Sequence, residues 1–299
     1  PVATAFRYQD AFDSTHPCYV GDIGLGINPK LEAAMMDADL IMAIGIRLGE
    51  VTTGGYHRLS IPVPRQNLVH VYSGPEELGR VFYPTLPIIS EANHFALAVN
   101  DCVPSEKPSR LDYVRNLRQV YSDWIGRDLT SVRTVDLVEV VSVMNEVLND
   151  DAIMCNGAGN HTGWLHRYYS YKGERKQLAP TSGSMGYSLP AAIAASVIYP
   201  NRQVIAFTGD GDFQMTCQEL ATIDQYGLSI IIVLINNSML GTIRMHQENH
   251  YPNRSGYTEL KNPDFCTLGS AYGLITRKIT ETAQFQIEFK QALNSSKST

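Results

Sequence analysis

Two short apolar runs of this chain each lead directly into a polar motif. Val204–Phe207 precedes Gly209-Asp210-Gly211, and Ile230–Ile235 precedes Asn236-Asn237. Runs of this length, rich in β-branched residues, predict buried strands of a parallel sheet. Apolar residues at helical intervals fill the stretch from Phe213 to Tyr226 between them. The sequence therefore predicts a strand, helix, strand unit.

A right-handed crossover places the carboxyl ends of two parallel strands at one edge of the sheet, where open α/β folds bind ligands. Asp210 and Asn237 would then face each other. Carboxylate and amide oxygens suit Mg²⁺, whose other ligands are often phosphate oxygens. Either motif alone is also typical of an ordinary turn. Their combination favours a site for a diphosphate and its magnesium ion.

The pairing of these two motifs resembles the cofactor signature of thiamine diphosphate-dependent enzymes, most closely the acetolactate synthase large subunit and its relatives. The resemblance implies that Asp210 and Asn237 are magnesium ligands, with the carbonyl of Met239 as the third. Asp212 is included in the cofactor set, although we interpret it as the N-cap of the following helix. The cofactor-binding residues implied here are Gly209, Asp210, Gly211, Asp212, Asn237, Met239, Leu240 and Gly241.

A second loop, Asn156–His161, follows a short apolar run at Ala152–Cys155 and is similar to the family's other diphosphate loop. Small residues let the backbone approach a phosphate, and polar side chains donate to it. The resemblance implies cofactor contacts from Gly157, Ala158, Gly159, Asn160 and His161. Without the family, His161 could equally be a helix-cap residue.

The segment Thr181–Tyr187 resembles the one that runs beneath the thiazolium ring in this family. Met185 matches the hydrophobic wedge that bends the cofactor, which implies a catalytic role, and Ser184 joins the cofactor-binding set. A flexible, polarizable methionine fills such a gap well. The alternative is a core methionine at the start of an alanine-rich helix.

The stretch Leu240–Asn262 is similar to the family's region over the substrate. His246 falls where acetolactate synthases carry a tryptophan that shapes the acceptor site, so it is the second residue to which we assign a catalytic role. The alternative is a solvent-exposed helical histidine. This departure from the family pattern leaves the acceptor keto acid open.

Composition agrees with a globular enzyme in a reducing cytoplasm. At 299 residues and 44% hydrophobic, the chain can build two domains. A net charge of −6 argues against a nucleic-acid surface, and no apolar stretch reaches the roughly 18 residues of a membrane span. The five cysteines are scattered, without the spacing of a zinc site or a disulfide framework.

The predicted fold class is α/β, with two doubly wound parallel-sheet domains. Residues 1–102 resemble part of the family's central domain, 103–131 are a linker, and 132–299 are the thiamine diphosphate and magnesium domain, with its C-terminal strand missing. Arg47, between Gly45 and Glu50, and the glycines of 21–26 match a domain that holds FAD in acetolactate synthases, so FAD is an optional cofactor. No part matches the family's N-terminal domain with its activating glutamate, so we expect a C-terminal fragment.

The resemblance implies decarboxylation of a 2-keto acid such as pyruvate and carboligation to a second keto acid. It also implies small-molecule partners, a homodimer or homotetramer, and allows a regulatory subunit. Two alternatives stay open. One is another thiamine diphosphate-dependent decarboxylase or lyase, and the other is a non-catalytic diphosphate-binding module.

Overall fold

The computed structural model describes residues 1–102, 110–126 and 134–299. The chain divides into two compact units. One comprises Pro1–Phe6 and His16–Arg127, and the other comprises Arg7–Thr15 and Asp128–Thr299. Each unit has its own parallel sheet. Residues 103–109 and 127–131 of the predicted linker lie outside the described residues.

The first unit contains a two-stranded and a three-stranded sheet, both parallel. The three-stranded sheet has its strands in sequence order, which is the arrangement that short right-handed crossovers give. The strands are β1 (Val2–Ala5), β2 (Tyr19–Ile23), β3 (Leu40–Ile44), β4 (Asn67–Tyr72) and β5 (Leu86–Ile89), and the helices are α1 (Pro29–Asp37), α2 (Ala92–Asn100) and α3 (Leu111–Ile125).

The second unit is built on a four-stranded parallel sheet of order β7-β6-β8-β9. Its strands are β6 (Ile153–Asn156), β7 (Lys176–Leu178), β8 (Val204–Gly209) and β9 (Ile231–Ile235). Its helices are α4 (Leu137–Val147), α5 (His161–Tyr168), α6 (Ser188–Ile198), α7 (Asp210–Gln214), α8 (Leu220–Tyr226), α9 (Gly241–His250), α10 (Phe265–Ala271) and α11 (Thr282–Leu293). The predicted α/β class with parallel sheets is confirmed.

Two cores cover the two faces of this sheet. Met154 and Phe207 pack with α4, α5 and α11. Their neighbours Cys155 and Ala206 pack with α6 and α8. Because successive side chains of a strand point to opposite faces, β6 and β8 must be apolar on both. This explains why their sequences are continuous apolar runs.

The predicted helix from Phe213 to Tyr226 is interrupted. α7 ends at Gln214, a 3-10 turn covers Cys217–Glu219, and α8 follows. Thr216 has φ −139°, and its Oγ1 donates to the carbonyl of Gly186 at 3.0 Å. A hydrogen bond to a distant segment therefore accompanies the break. The spacing of the apolar residues does not predict this break. The predicted stop at Gly227 is confirmed by its left-handed φ of 58°.

The outer edge of β9 is partly covered by the last residues of the sequence. The amide of Thr299 donates to Ile230 O at 3.1 Å, and its carbonyl accepts from Ile232 N at 2.8 Å. A cavity of about 880 Å³ lies along the same edge, lined among others by Val233, Ile235, Phe285 and Thr299.

Arg175 is buried to 1% exposure and holds the C-terminal end of α4. Its guanidinium donates to the carbonyl oxygens of Asn145 at 3.0 Å, Leu148 at 2.6 Å, Asn149 at 3.1 Å and Ser170 at 3.1 Å. The last carbonyls of a helix lack partners within it, and a cation is favoured there. Arg175 supplies both the donors and the charge.

No helix in the described part of the chain is long and apolar enough to cross a membrane. The cysteines Cys18, Cys102, Cys155, Cys217 and Cys266 are all free thiols.

Candidate functional site

The predicted motifs lie at the carboxyl ends of adjacent strands. β6 ends at Asn156, β8 at Gly209 and β9 at Ile235. The register pairs Asn156 with Phe207 and Gly209 with Ile235, so the three ends lie along one edge of the sheet. Loops at this edge are where open α/β sheets bind ligands.

Asp210 is the first residue of α7 and is only 3% exposed. Its Oδ1 accepts from Gly211 N at 2.9 Å, and its Oδ2 accepts from Asn262 Nδ2 at 2.7 Å. The same Nδ2 donates to Asn236 Oδ1 at 2.8 Å. Asn262 therefore joins the carboxylate to the first of the paired asparagines.

Asn237 and Asn160 approach each other at the start of α9. Their Nδ2 atoms lie 3.3 Å and 3.9 Å, respectively, from the position that a Cβ would take on Gly241. Thr242 Oγ1 donates to Asn160 Oδ1 at 2.9 Å. Asn237 Oδ1 accepts from Met239 N at 3.1 Å, in a turn whose left-handed residue is Ser238. The structure thus brings the Asn156–His161 loop to the asparagine motif.

His161 lies between two glycines of the site. A Cβ on Gly159 would lie 2.9 Å from His161 Nδ1, and one on Gly209 would lie 2.8 Å from it. Gly159 also has φ +151°, which disfavours side chains. The His161 side chain is 9% exposed, and within the described residues its Nε2 has no hydrogen-bond partner. It is the first residue of α5, and the N-cap position is Asn160.

Met185 reaches the loop that carries Asp210. Its Cε lies 3.4 Å from the position of a Cβ on Gly211, which Leu240 and Leu260 also approach, at 3.0 and 3.2 Å. Met185 is half-buried and precedes α6 rather than lying within it. Ser184 is exposed, and its Oγ is 2.7 Å from Ser182 Oγ.

The interpretation of Asp212 as a helix N-cap is wrong. α7 begins at Asp210 with Gly209 at the N-cap position, so Asp212 lies within the first turn. Its side chain points inward and is 1% exposed. The carboxylate accepts from Gly186 N at 2.6 Å and from Thr208 Oγ1 at 2.7 Å. Its contact with a cofactor stays a prediction.

His246 lies on an exposed part of α9. Its carbonyl accepts from His250 Nδ1 at 2.9 Å, and the two rings are 6.1 Å apart between centroids. Asn160 Nδ2 contacts the sulfur of its neighbour Met245 at 3.8 Å. The helix therefore borders the site, and the role of His246 toward a substrate stays a prediction.

Sequence reasoning missed Asn262 and Thr208. Asn262 precedes a proline in a polar loop, and a turn is the ordinary explanation for such a pair. Thr208 looks like the last residue of a strand. Asn262 gains its partners only through the approach of distant segments. Thr208 donates to Asp212, four residues ahead, and this contact requires the turn from β8 into α7.

Burial determines the charge of the histidines beside the site. It lowers the pKa of His161, although Asp212 and Asp210 act in the opposite direction. It lowers the pKa of His166 to about 3, and the charges of Arg7 and His161 add to this effect. Both rings are therefore neutral near pH 7, and the 3.9 Å approach of His161 Nε2 to Asp212 Oδ2 is not an ion pair there.

We expect the second unit to lose stability as the pH falls below about 6.5, the ordinary pKa of histidine in an unfolded chain. The folded-state pKa of His166 is lower, so protons bind preferentially to the unfolded state between that value and about 3. His166→Gln should weaken the decline of the melting temperature between pH 6.5 and 5. The exposed His94→Gln is the control. Equal declines in His166→Gln and the unmodified protein would contradict this expectation.

The residues associated with FAD lie in the first unit. Gly21 is within β2 with φ +115°, and Gly45 follows β3 with φ +67°. The Arg47 side chain is 62% exposed and pairs with Glu77 at 3.2 Å. FAD binding stays a prediction.

The donors at the sheet edge fit a hard divalent cation with a bound diphosphate. No three His, Cys, Asp or Glu side chains in the described ranges group together to hold a metal ion. The site instead offers the carboxylate of Asp210 with amide oxygens, which suit Mg²⁺ when phosphates supply further ligands. The ten-residue helix α9 begins beside them, and its first amides favour an anion.

Comparisons with known proteins agree with this arrangement. Residues 1–99 match the family model "Thiamine pyrophosphate enzyme, central domain", and residues 157–299 match "Thiamine pyrophosphate enzyme, C-terminal TPP binding domain". The acetolactate synthase large subunit of Corynebacterium glutamicum is 29% identical over 95% of this chain and 46% of its own length. That of Lactococcus lactis is 30% identical over 92% and 47%.

The acetolactate synthase isozyme 3 large subunit of Escherichia coli is 27% identical over 98% of this chain and 52% of its own length. The chain thus spans about half the length of the curated relatives it matches. Two family models of the same enzymes match its two parts in order, and the predicted motifs lie together at the edge of the second sheet. The chain belongs to the thiamine pyrophosphate enzymes.

Proposed function

We propose that the protein carrying this chain binds thiamine diphosphate through Mg²⁺, decarboxylates a 2-keto acid such as pyruvate and joins the product to a second keto acid. The observation that carries this proposal is the convergence of the Asp210, Asn237 and Gly157–His161 loops at one sheet edge. The likeness to acetolactate synthase large subunits supports the reaction class.

The metal and diphosphate roles follow from the chemistry of these groups. Asp210 and Asn237 would hold Mg²⁺ through side-chain oxygens, and Met239 through its carbonyl. Gly157–His161 and the first residues of α9 would hold the diphosphate. Asn262 fixes one carboxylate oxygen of Asp210 by its 2.7 Å hydrogen bond, and Gly211 N fixes the other at 2.9 Å, so the orientation of the proposed metal ligand is set before the metal binds.

When bound, thiamine diphosphate supplies an electron sink for the departure of carbon dioxide. The apolar group of Met185, Leu240 and Leu260 around Gly211 would support the cofactor's rings and exclude water from the reacting carbon. His246, exposed on α9 at the border of the site, would shape the place of the second keto acid.

Met185→Ala is expected to leave the diphosphate anchored and to slow activation of the cofactor. The substitution removes the half-buried side chain that lies next to Gly211. It changes none of the proposed metal ligands. The measurement is deuterium exchange of the cofactor's C2 proton in the intact enzyme, with calorimetric affinity alongside. Met215→Ala, at a 57% exposed side chain, is the control. An exchange rate equal to that of the unmodified enzyme would refute the wedge role.

Product analysis with pyruvate tests the reaction. Acetolactate supports the proposal, whereas acetaldehyde as the sole product supports a second candidate, another thiamine diphosphate-dependent decarboxylase or lyase. The observation that favours this candidate is His246, exposed on α9 where acetolactate synthases carry tryptophan. Cofactor binding without turnover of any 2-keto acid supports a non-catalytic module.

The remaining expectations are part of the same proposal. The name of the relatives, acetolactate synthase large subunit, supports a regulatory partner. A homodimer or homotetramer, an optional FAD in the first unit and a cytoplasmic location complete it. Size measurement of the purified natural protein, with its absorption spectrum between 350 and 500 nm, tests the oligomer and the flavin together.

A further inference from the structure

The carboxylate of Asp212 accepts hydrogen bonds from three separate segments of the second unit. Oδ1 accepts from Gly186 N at 2.6 Å and more weakly from Ala158 N at 3.5 Å. Oδ2 accepts from Thr208 Oγ1 at 2.7 Å. The side chain is 1% exposed, so these donors, rather than water, solvate the carboxylate.

Each of these donors belongs to a part of the proposed cofactor site. Ala158 is in the diphosphate loop after β6, Gly186 follows Met185 in the segment before α6, and Thr208 precedes the Gly209-Asp210 motif on β8. A single oxygen atom, Oδ1, thus links the diphosphate loop to the segment of the proposed wedge.

Two glycines allow the main chain to pack closely around Asp212. A Cβ on Gly157 would lie 1.7 Å from Asp212 Oδ2. Gly186 has φ +84°, and a Cβ there would lie 2.8 Å from Met215 Cβ. Gly157 lets the main chain approach the carboxylate closely, and Gly186 lets its segment pass close to Met215. The three segments and Asp212 therefore form one packed arrangement.

We propose that Asp212 is a positioning residue that fixes the spacing between the diphosphate loop and the Met185 segment through its buried carboxylate. The inference rests on the proposed function, because these are the segments to which we assign the two ends of thiamine diphosphate. Asp212 acts through Ala158, Gly186 and Thr208 and is assigned no contact with the reacting atoms.

Two substitutions of Asp212 distinguish its hydrogen-bonding role from the effect of its charge. In Asp212→Ala, Gly186 N, Ala158 N and Thr208 Oγ1 lose their acceptor. The diphosphate loop and the Met185 segment are then no longer joined through a carboxylate. In Asp212→Asn, the amide oxygen still accepts from Gly186 and Ala158, while Nδ2 donates to Thr208, whose hydroxyl accepts equally well. The asparagine variant should therefore restore the arrangement. Glu146→Ala, at an exposed carboxylate of α4, is the control.

The experiment combines amide hydrogen exchange of the cofactor-free protein with calorimetric titration by thiamine diphosphate and Mg²⁺, in the full natural chain. We expect Asp212→Ala to accelerate exchange at Ala158 and Gly186 and to weaken cofactor affinity, each by about 10-fold or more. Exchange in β6 and α4 should stay unchanged. Asp212→Asn and Glu146→Ala should remain within about 3-fold of the unmodified protein, because both keep a hydrogen-bond partner for Gly186, Ala158 and Thr208.

A purely structural role gives a different result. A lower melting temperature with unchanged exchange at Ala158 and Gly186 would overturn the proposal, as would equal losses of affinity in Asp212→Asn and Asp212→Ala. If Asp212→Ala does not fold, Asp212→Ser replaces it, because its short hydroxyl cannot reach all three donors. Failure of the unmodified protein to bind the cofactor would refute the proposed function, and the exchange comparison would still decide whether Asp212 joins the segments.

Discussion

Asp210→Ala is expected to abolish magnesium-dependent binding of thiamine diphosphate. The substitution removes the carboxylate at the start of α7, which is 3% exposed and positioned by Asn262 and Gly211 N. Loss of an outer partner of a metal ligand typically costs 10- to 100-fold in affinity, so loss of the ligand itself should exceed about 100-fold. Calorimetric titration with thiamine diphosphate at fixed Mg²⁺ is the measurement.

Two matched variants distinguish the effect of losing the carboxylate charge from the effect of a damaged fold. Asp210→Asn keeps the size of the side chain and an acceptor for Asn262 but removes the charge, so its affinity should also fall. Glu146→Ala, an exposed carboxylate of the same unit, should bind as the unmodified protein does. Affinity in Asp210→Ala equal to that of Glu146→Ala, with both proteins folded by circular dichroism, would disprove the assignment of the metal site.

Arg175→Met is expected to destabilise the second unit by about 3–5 kcal/mol, the usual cost of breaking a buried charged network. Methionine preserves much of the apolar stem, but the carbonyls of Asn145, Leu148, Asn149 and Ser170 lose their donor in a buried place. The melting temperature should fall by about 10 °C, given 2–4 °C per kcal/mol for a unit of this size.

Two further arginine variants calibrate this result. Arg175→Lys keeps the charge, but one ammonium cannot reach all four carbonyls, so a smaller loss is expected. Arg277→Met removes an arginine whose side chain is 44% exposed and paired with Glu288, and should cost less than about 1 kcal/mol. A melting temperature for Arg175→Met as high as that for Arg277→Met would contradict the capping role.

Strands β6, β8 and β9 were predictable because each is a local apolar run. Strand β7, with the sequence Lys-Gln-Leu, is not such a run. β6 overlaps the apolar run Ala152–Cys155, and β8 and β9 fall on the two runs before the glycine and asparagine motifs. The short length of these runs and their β-branched residues favour strands, and their continuous apolar character favours burial on both faces of a sheet. The break between α7 and α8 was not predictable, since it depends on the contact of Thr216 with Gly186.

The site was predictable in its motifs and not in its hydrogen bonds. The order of strands and crossovers requires the ends of β8 and β9 to lie at one edge, so Asp210 and the asparagine pair had to be close. Asn262 joins them from a loop with no periodicity, and its sequence resembles an ordinary turn. Asp212 was assigned to a helix cap because local spacing cannot fix where a short helix begins.

The sequence by itself determined the α/β class, the parallel strands and the family motifs, because these depend on side chains close together in the chain. Only the tertiary structure decided which polar groups form hydrogen bonds with one another. Arg175 donates to carbonyl oxygens at the end of α4, and Asp212 accepts from the amides of Gly186 and Ala158. The bonded residues are 26 to 54 positions apart in the chain. Such partners are selected by the cost of leaving a buried polar group unpaired, and that cost exists only once the segments have packed.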